Sequence, residues 1–376
     1  MPLISRYLVV WEGPVQRASG LGIASRAYVQ ALRRQGVDVR VGRGRRTGAS
    51  GDPSRKKVLI YHHPPSQINF KLARARYDCI ILNTVWETTR IPAHWLPNIN
   101  KFDAICVPSR HNKQALRNSG VRVPIFIVPH GVNAREYGPG TRKLPLTQSK
   151  GRFTFVSVFG FQHRKNPEAL LRAYWEEFSA SDAVLLVIKT NGYAPYENEQ
   201  WIKERIRRYK IRLGIHKPTA PVVVIGRHLK PGSIYGLYRL GQVFVLPTRG
   251  EGVGLPFLES LASGTPVMAT AWGGHMDFLT RRNSFLVPYR LSSPLQSMNS
   301  GHSISRQFRH LFAGKGQQWA EVDIGSLKRQ MRYAFQHPRL CRVKGNQGRQ
   351  DMLRWTWNRA GFLMKDAIEK TLQRKK

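Results

Sequence analysis

Glu251 and Glu259 flank a glycine-rich run in the segment Pro247-Thr248-Arg249-Gly250-Glu251-Gly252-Val253-Gly254-Leu255-Pro256-Phe257-Leu258-Glu259. With no Cβ in the way, glycines at 250, 252 and 254 let backbone amides approach a ligand closely. Pro256 suits the first turn of a helix, where its missing N–H costs nothing, and Gly264 suits the end of one. A helix opening at Leu255 adds the positive end of its dipole to the amides of Gly252, Val253, Gly254 and Leu255. Together these make an anion site fit for a diphosphate. Glu259, about a turn into the helix, leans back toward its N-terminus. Its carboxylate can accept from a vicinal ribose diol, and that of Glu251 from sugar hydroxyls. No Gly-Lys-Ser/Thr follows, so this is not a Walker loop, and no GxGxxG dinucleotide fingerprint is present either.

Such a segment needs a strand before it and a helix after it, and the chain supplies both repeatedly. The apolar run Val243–Leu246 leads into it. Short apolar runs at 7–10, 58–61, 79–82, Ala104–Val107 and 125–128, then at 153–158, 183–188, 221–225, 266–269 and 285–287, are each bounded by turn residues. Residues 23–34 carry apolar positions at helical spacing after a loop with Gly13, Gly20 and Gly22. Strands alternating with helices imply βαβ units and parallel sheets. The pattern lapses around 134–152, which is read as a boundary between two doubly wound domains, 1–145 and 146–350. The segment 292–316, rich in Ser, Gly and Gln, reads as a mobile insertion. The stretch 351–376 reads as a C-terminal helix that ends basic.

The segment around Glu251 closely resembles the E-x7-E motif of the retaining GT-B glycosyltransferases known as family 4. The flanks are similar too: Val-Leu-Pro-Thr before it, Ser-Gly-Thr-Pro-Val after it, then Trp272-Gly273-Gly274-His275. The resemblance implies a GT-B fold, with two Rossmann-like domains facing a cleft. The N-terminal domain would take the acceptor side and the C-terminal domain the nucleotide-sugar donor, and the last helix would cross back to the first domain. Arg164-Lys165-Asn166-Pro167 looks like the family's loop after the first strand of the donor domain. That gives Lys165 the donor diphosphate, with Arg164 in place of an Arg that the family sets a few residues earlier. Val224-Ile225-Gly226-Arg227-His228-Leu229 resembles the base-contacting loop, which makes Arg227 and His228 neighbours of the base. Ser19-Gly20-Leu21-Gly22 resembles the Gly-rich loop facing the diphosphate and acceptor. Ile127-Val128-Pro129-His130-Gly131-Val132 is similar to the segment leading to the linker, with His130 structural. Many members carry a His near the donor sugar. Here Asn83-Thr84-Val85-Trp86-Glu87-Thr88 departs from that pattern and leaves His62 and His63 as alternatives. Trp355-Thr356-Trp357 resembles the aromatic segment before the family's last helix.

The implied chemistry is glycosyl transfer from a UDP- or GDP-sugar with retention. Glu251 and Lys165 would be the catalytic pair. No DxD sequence is present, so no metal and no other cofactor is expected, and the cation role falls to Lys, Arg and a helix dipole. Composition bounds the rest. A length of 376 residues favours two cores. Hydrophobic content of 41% excludes a disordered chain. No run reaches a membrane span, and the apolar run after Met1-Pro2-Leu3-Ile4-Ser5-Arg6 is too short for a signal-peptide core. Cys79, Cys106 and Cys341 form no CxxC pair and fit a reducing cytoplasm. The chain holds 61 Lys+Arg against 22 Asp+Glu, a net charge of +39. The excess is spread, at 24 basic to 7 acidic over residues 1–145 and 37 to 15 over the remainder. Such a field should attract polyanions, whether acidic glycans, anionic lipid surfaces or nucleic acid, unless it is compositional bias with no specific partner. The family resemblance implies a lipid-linked or cell-surface glycan or another anionic acceptor, with the chain at the inner face of the membrane. Rival readings are a transferase acting on modified DNA, a non-catalytic basic binding protein, and a different GT-B enzyme such as an epimerase or phosphorylase.

Overall fold

The structure, a computed structural model, describes residues 7–42, 55–138 and 140–375. The reading of residues 1–6 lies outside these, as do Pro139 in the boundary stretch and Lys376 at the basic end. The chain divides into two compact units, Met1–Gly131 with Trp355–Lys376, and Val132–Arg354.

Unit 1 is built on a six-stranded parallel sheet: β1 (Tyr7–Glu12), β2 (Asp38–Val41), β3 (Lys56–Tyr61), β4 (Cys79–Asn83), β5 (Ala104–Val107) and β6 (Ile125–Ile127), in the order β2-β1-β3-β4-β5-β6. The central strands are buried because both faces are covered; Val58, Ile60, Ile81 and Cys106 are inaccessible to solvent. β2 went unread in the sequence because Asp38-Val39-Arg40-Val41 is short, half polar and lies at the sheet edge. The helix Gly20–Arg34 begins at Gly20, so Gly20, Leu21 and Gly22 form its first turn and not a loop. Ser19 caps it by accepting from the Gly22 amide at 3.2 Å. A Cβ on Gly22 would run into the Arg17 carbonyl.

The helix Trp357–Gln373 packs into unit 1 on this first helix. Thr356 caps it, accepting from Arg359 N at 3.2 Å. Trp357 sets its ring edge-on to Tyr28, 5.3 Å between centroids. Ala360, Met364, Ala367 and Ile368 join the core with Tyr28 and Leu32. Gly361 makes the closest approach: a Cβ there would lie 2.7 Å from the Ala31 carbonyl.

Unit 2 carries a second parallel sheet: β7 (Phe153–Gly160), β8 (Val184–Asn191), β9 (Val222–Ile225), β10 (Val243–Leu246), β11 (Val267–Thr270) and β12 (Ser284–Val287), in the order β12-β11-β10-β7-β8-β9. This is the Rossmann order, and the connections part in opposite directions at the β7/β10 pair. Crevices at such a switch point, outside the carboxyl ends of the strands, are where ligands bind in open α/β sheets. An antiparallel pair, β13 (Tyr289–Ser292) and β14 (Trp319–Val322), brackets the 292–316 segment. That segment is tied down and not loose: His163 N donates to Arg306 O at 2.8 Å, and Ile304 N to Glu168 at 3.0 Å. The stretch at 134–138 belongs to unit 2, where Tyr137 packs on Tyr235 with centroids 4.4 Å apart.

Gly361→Leu should lower the urea midpoint by the equivalent of about 1–3 kcal/mol, the usual cost of overpacking a tight contact. An unchanged midpoint would mean that the helix is not seated on Ala31 as described.

Candidate active site

The loops that leave β7 and β10 are tied to one another. After β7 the chain makes a tight turn at His163–Lys165, and Asn166 takes a left-handed conformation (φ 58°). Asn166 caps the helix Pro167–Glu177, accepting from Ala169 N at 3.2 Å. After β10, Arg249 N donates to Arg164 O at 2.8 Å and Thr248 Oγ1 to the same carbonyl at 3.0 Å. Arg164 Nη1 donates back to Gly250 O. Glu251 is buried between the loops, where Lys165 Nζ donates to one carboxylate oxygen and Arg164 Nη1 lies 3.2 Å from the other. Burial pushes the Glu251 carboxyl up, but the charges of Lys165 and then Arg164 outweigh it and bring it from 4.5 to about 2.

The far wall comes from the Gly-Gly turn after β11. Gly274 N donates to Glu251 O at 2.7 Å. Gly273 has φ +124°, and a Cβ there would crowd both that carbonyl and the His275 ring. His275 is buried and its Nε2 lies 2.8 Å from Thr270 O, so Nε2 carries the proton and Nδ1 the lone pair. Burial holds its pKa below the ordinary value and favours this neutral ring. Gly254, at φ +81°, opens the helix Leu255–Ala262, which has Pro256 in its first turn and no side-chain cap. Val253 is buried, and Gly252, Gly254 and Leu255 complete the approach to the helix N-terminus. Glu259 lies further along, accepting from Tyr238 Oη at 2.6 Å and also from Tyr137. Burial raises its pKa, and the two tyrosine hydroxyls pull it part of the way back.

Lys165, Arg164 and Glu251 are thus brought together with the Gly252–Leu255 loop. Arg227 and His228 are not in that cluster. They are exposed on the loop after the edge strand β9, separated from β7 by β8, and the Arg227 amide is turned to Glu199. In unit 1, His62 is buried with Nδ1 2.7 Å from Ser25 Oγ. Burial, then His130 and His63, lower it to about 3. His130 packs on Tyr28 and Trp357, and burial lowers it to about 4, as suits a structural ring. His63 lies beside Tyr61. The stretch at 83–88 is held by Asn112, which accepts from Trp86 N at 2.9 Å.

Sequence reasoning missed a second buried charge cluster behind the loops. Arg249 donates to His163 O at 2.6 Å, to Glu168 at 3.3 Å and to Glu321 at 2.8 Å. Glu168 also accepts from His163 Nδ1 at 3.2 Å. Burial raises the Glu168 carboxyl, but His163 and Arg249 bring it to about 2. Arg249 stood next to the recognised motif, but its partners lie far off in the chain. Among the described residues no group of three His, Cys, Asp or Glu side chains is placed to hold a metal ion.

Residues 150–295 match the family described as Glycosyl transferases group 1. That match spans β7 to β12, including both loops that hold Glu251.

The fold is of the GT-B type. Sucrose-phosphate synthase from Thermosynechococcus elongatus superposes with a TM-score of 0.68 at 14% identity, over 98% of this chain and 99% of that one. Anabaena HepE in complex with UDP and glucose gives 0.67 at 12% identity, over 97% and 100%. In sequence, the chain is similar to alpha-monoglucosyldiacylglycerol synthase of Streptococcus pneumoniae, 26% identical over 179 residues, 46% of this chain and 38% of that protein. It is also similar to the lipopolysaccharide core biosynthesis mannosyltransferase LpsB of Rhizobium meliloti, 28% identical over 195 residues, 48% and 49%. The aligned part thus spans less than half the length of each of these curated relatives.

The folded pKa of Glu251, about 2, lies below its ordinary 4.5, so unfolding takes up a proton between those values. The stability from this group is whole above about pH 4.5 and is lost as the pH falls toward 2. Glu251→Gln removes that component, so its melting temperature should fall less steeply than the wild type's between pH 5 and 3. Parallel curves would show that Glu251 is not held ionised in the folded state.

Proposed function

We propose that the chain is a retaining glycosyltransferase that moves a sugar from a nucleoside-diphosphate sugar to a lipid-linked or cell-surface acceptor. The observation that carries this reading is the cluster at the β7/β10 switch point. There Lys165 and Arg164 lie against Glu251, in the same loops as a glycine-rich helix N-terminus that no side chain caps. The match of 150–295 to group 1 glycosyl transferases and the UDP and glucose in the HepE structure support a nucleotide-sugar donor.

In this reading Lys165, Arg164 and the helix N-terminus neutralise the diphosphate as it departs, with no metal required of them. Glu259 turns from its tyrosines to the ribose diol, and Glu251 accepts from sugar hydroxyls. A carboxylate held at about 2 is too weak a base to take the acceptor proton. As the resemblance to retaining enzymes implies, the acceptor oxygen bonds to the anomeric carbon on the face from which the diphosphate leaves. The carbon–oxygen bond to phosphate breaks with its electron pair, and that phosphate oxygen takes the acceptor proton. Configuration is retained. On the acceptor side the net charge of +39 and the relatives' names, a diacylglycerol glycolipid synthase and a lipopolysaccharide core enzyme, favour an anionic surface. No helix among the described residues is long and apolar enough to cross a membrane. Attachment is then peripheral, at the inner face.

Three experiments test this. Glu259→Ala should weaken UDP binding in calorimetry at least tenfold, the scale of losing a hydrogen bond to a charged group. Lys165→Ala and Glu251→Ala should abolish sugar transfer, and the wild type should keep its activity in EDTA. Wild-type transfer by both variants would remove the site from the chemistry, and an inverted product would overturn the mechanism. Separately, the chain should sediment with anionic vesicles and not neutral ones, with binding falling steeply as salt screens exposed charges over about 8 Å. Equal binding to both vesicle types, or a preference for duplex DNA over either, would reject the membrane-linked acceptor.

A further inference from the structure

Unit 2 contains a polar cavity, of about 340 Å³, which the proposed chemistry does not use. It lies between the N-terminal half of the helix Pro167–Glu177 and the 292–303 part of the tied-down insertion. Its size is at the lower end for small-molecule sites. None of Arg164, Lys165, Glu251 and Glu259 lines it.

The walls are built and not incidental. His163, Asn166, Glu168 and Arg249 line the cavity, and each is more than nine-tenths buried. Two buried polar atoms of its lining, Asn166 Nδ2 and Ser292 Oγ, have no hydrogen-bond partner among the described residues. Orphaned polar groups inside a protein cost stability unless something satisfies them, so they mark where a polar ligand belongs.

The charges select the ligand. Both carboxylates in the wall are already paired with Arg249. Glu168 takes His163, Arg249, Ile304 N and Ser305, and Glu321 takes Arg249 and Trp319 Nε1. Three cationic or protonatable side chains face the same space with capacity to spare. The Arg290 side chain makes no hydrogen bond or ion pair with a described residue, although its backbone stands opposite Glu321 in the β13–β14 ladder. Arg172 is half-exposed with a single carboxylate partner, Glu176, and His302 rests on Tyr209. The N-terminus of Pro167–Glu177 adds its positive end. Hydroxyls from Ser297, Ser300 and Ser303 fill the remaining wall. Basic side chains together with hydroxyls in one lining match a small phosphate monoester that also carries hydroxyls.

We infer that this cavity is a second ligand site for a phosphorylated polyol, such as a sugar phosphate, and that its occupancy stiffens the loops holding Glu251. The connection is short. Arg249 in the cavity wall donates its backbone N–H to Arg164 O and its side chain to His163 O, so a ligand that orders Arg249 orders the turn carrying Lys165. Binding and loop stiffening do not depend on the nucleotide-sugar reading.

The test uses the full chain, with glucose 6-phosphate as probe and glucose, inorganic phosphate and UDP beside it. Calorimetry should give binding of glucose 6-phosphate, at least tenfold weaker in Arg290→Glu and in Ser300→Trp, which narrows the cavity. Both variants should keep the wild-type affinity for UDP, and saturating UDP should not displace the sugar phosphate. Hydrogen exchange at the amides of 164–166 and 249–251 should slow when glucose 6-phosphate is bound. No binding to the wild type, equal binding to both variants, or displacement by UDP would overturn the second site. Inorganic phosphate binding as tightly as the sugar phosphate would overturn the polyol half, and unchanged exchange would overturn the link to the loops. A chain that binds glucose 6-phosphate but transfers no sugar keeps this site and loses only the transferase assignment.

Discussion

Burying a carboxylate is costly unless cations follow it inside, and Glu251 draws two. That pairing constrains most of the local architecture of unit 2. Lys165 and Glu251 meet only if the loops after β7 and β10 end side by side, which the strand order arranges by making those strands neighbours. The Arg164 carbonyl must then face the Arg249 amide, so the chain turns sharply through Asn166 in a left-handed conformation before the next helix. The Gly-Gly turn closes the third side, where a side chain at 273 would collide with the Glu251 carbonyl.

The same economy recurs wherever acids are found. With 22 Asp+Glu for 61 Lys+Arg, carboxylates are the scarce partner, and many serve two cations. Glu251 holds Lys165 and Arg164, Glu176 holds Arg172 and Lys328, and Asp103 holds Arg74 and Lys375. Exposed pairs of this kind add little to stability. The buried ones fix geometry, because each lone pair left over must find a donor.

Much of the scaffold was legible because it rests on local signals. Val58, Ile60, Ile81 and Cys106 lie in apolar runs bounded by turn residues, and such runs become buried parallel strands. Pro256 and Gly264 marked one helix from end to end. What stayed hidden depends on distant partners. Nothing near Arg249 announces Glu168 or Glu321, and Tyr137 and Tyr238 meet Glu259 from separate segments. The insertion at 292–316 read as loose because Ser, Gly and Gln suit loops, yet its amides and hydroxyls are used to satisfy Glu168 and His163. Gly20 and Gly22 read as loop for a related reason: a serine cap and a close carbonyl let glycine open a helix. Pairing Lys165 with Glu251 took resemblance to a family, since their 86-residue separation carries no local signal.

Unit 1 is discontinuous in the chain, and that has a consequence for biogenesis. Its last helix, Trp357–Gln373, emerges from the ribosome only after all of Val132–Arg354 has been made. At 5–20 residues per second the delay is on the order of tens of seconds. When Arg354 has been added, unit 2 has every residue it needs to fold, while Ala31, Tyr28 and Leu32 still lack the helix that covers them. Vectorial synthesis thus lets the second unit be completed before the first.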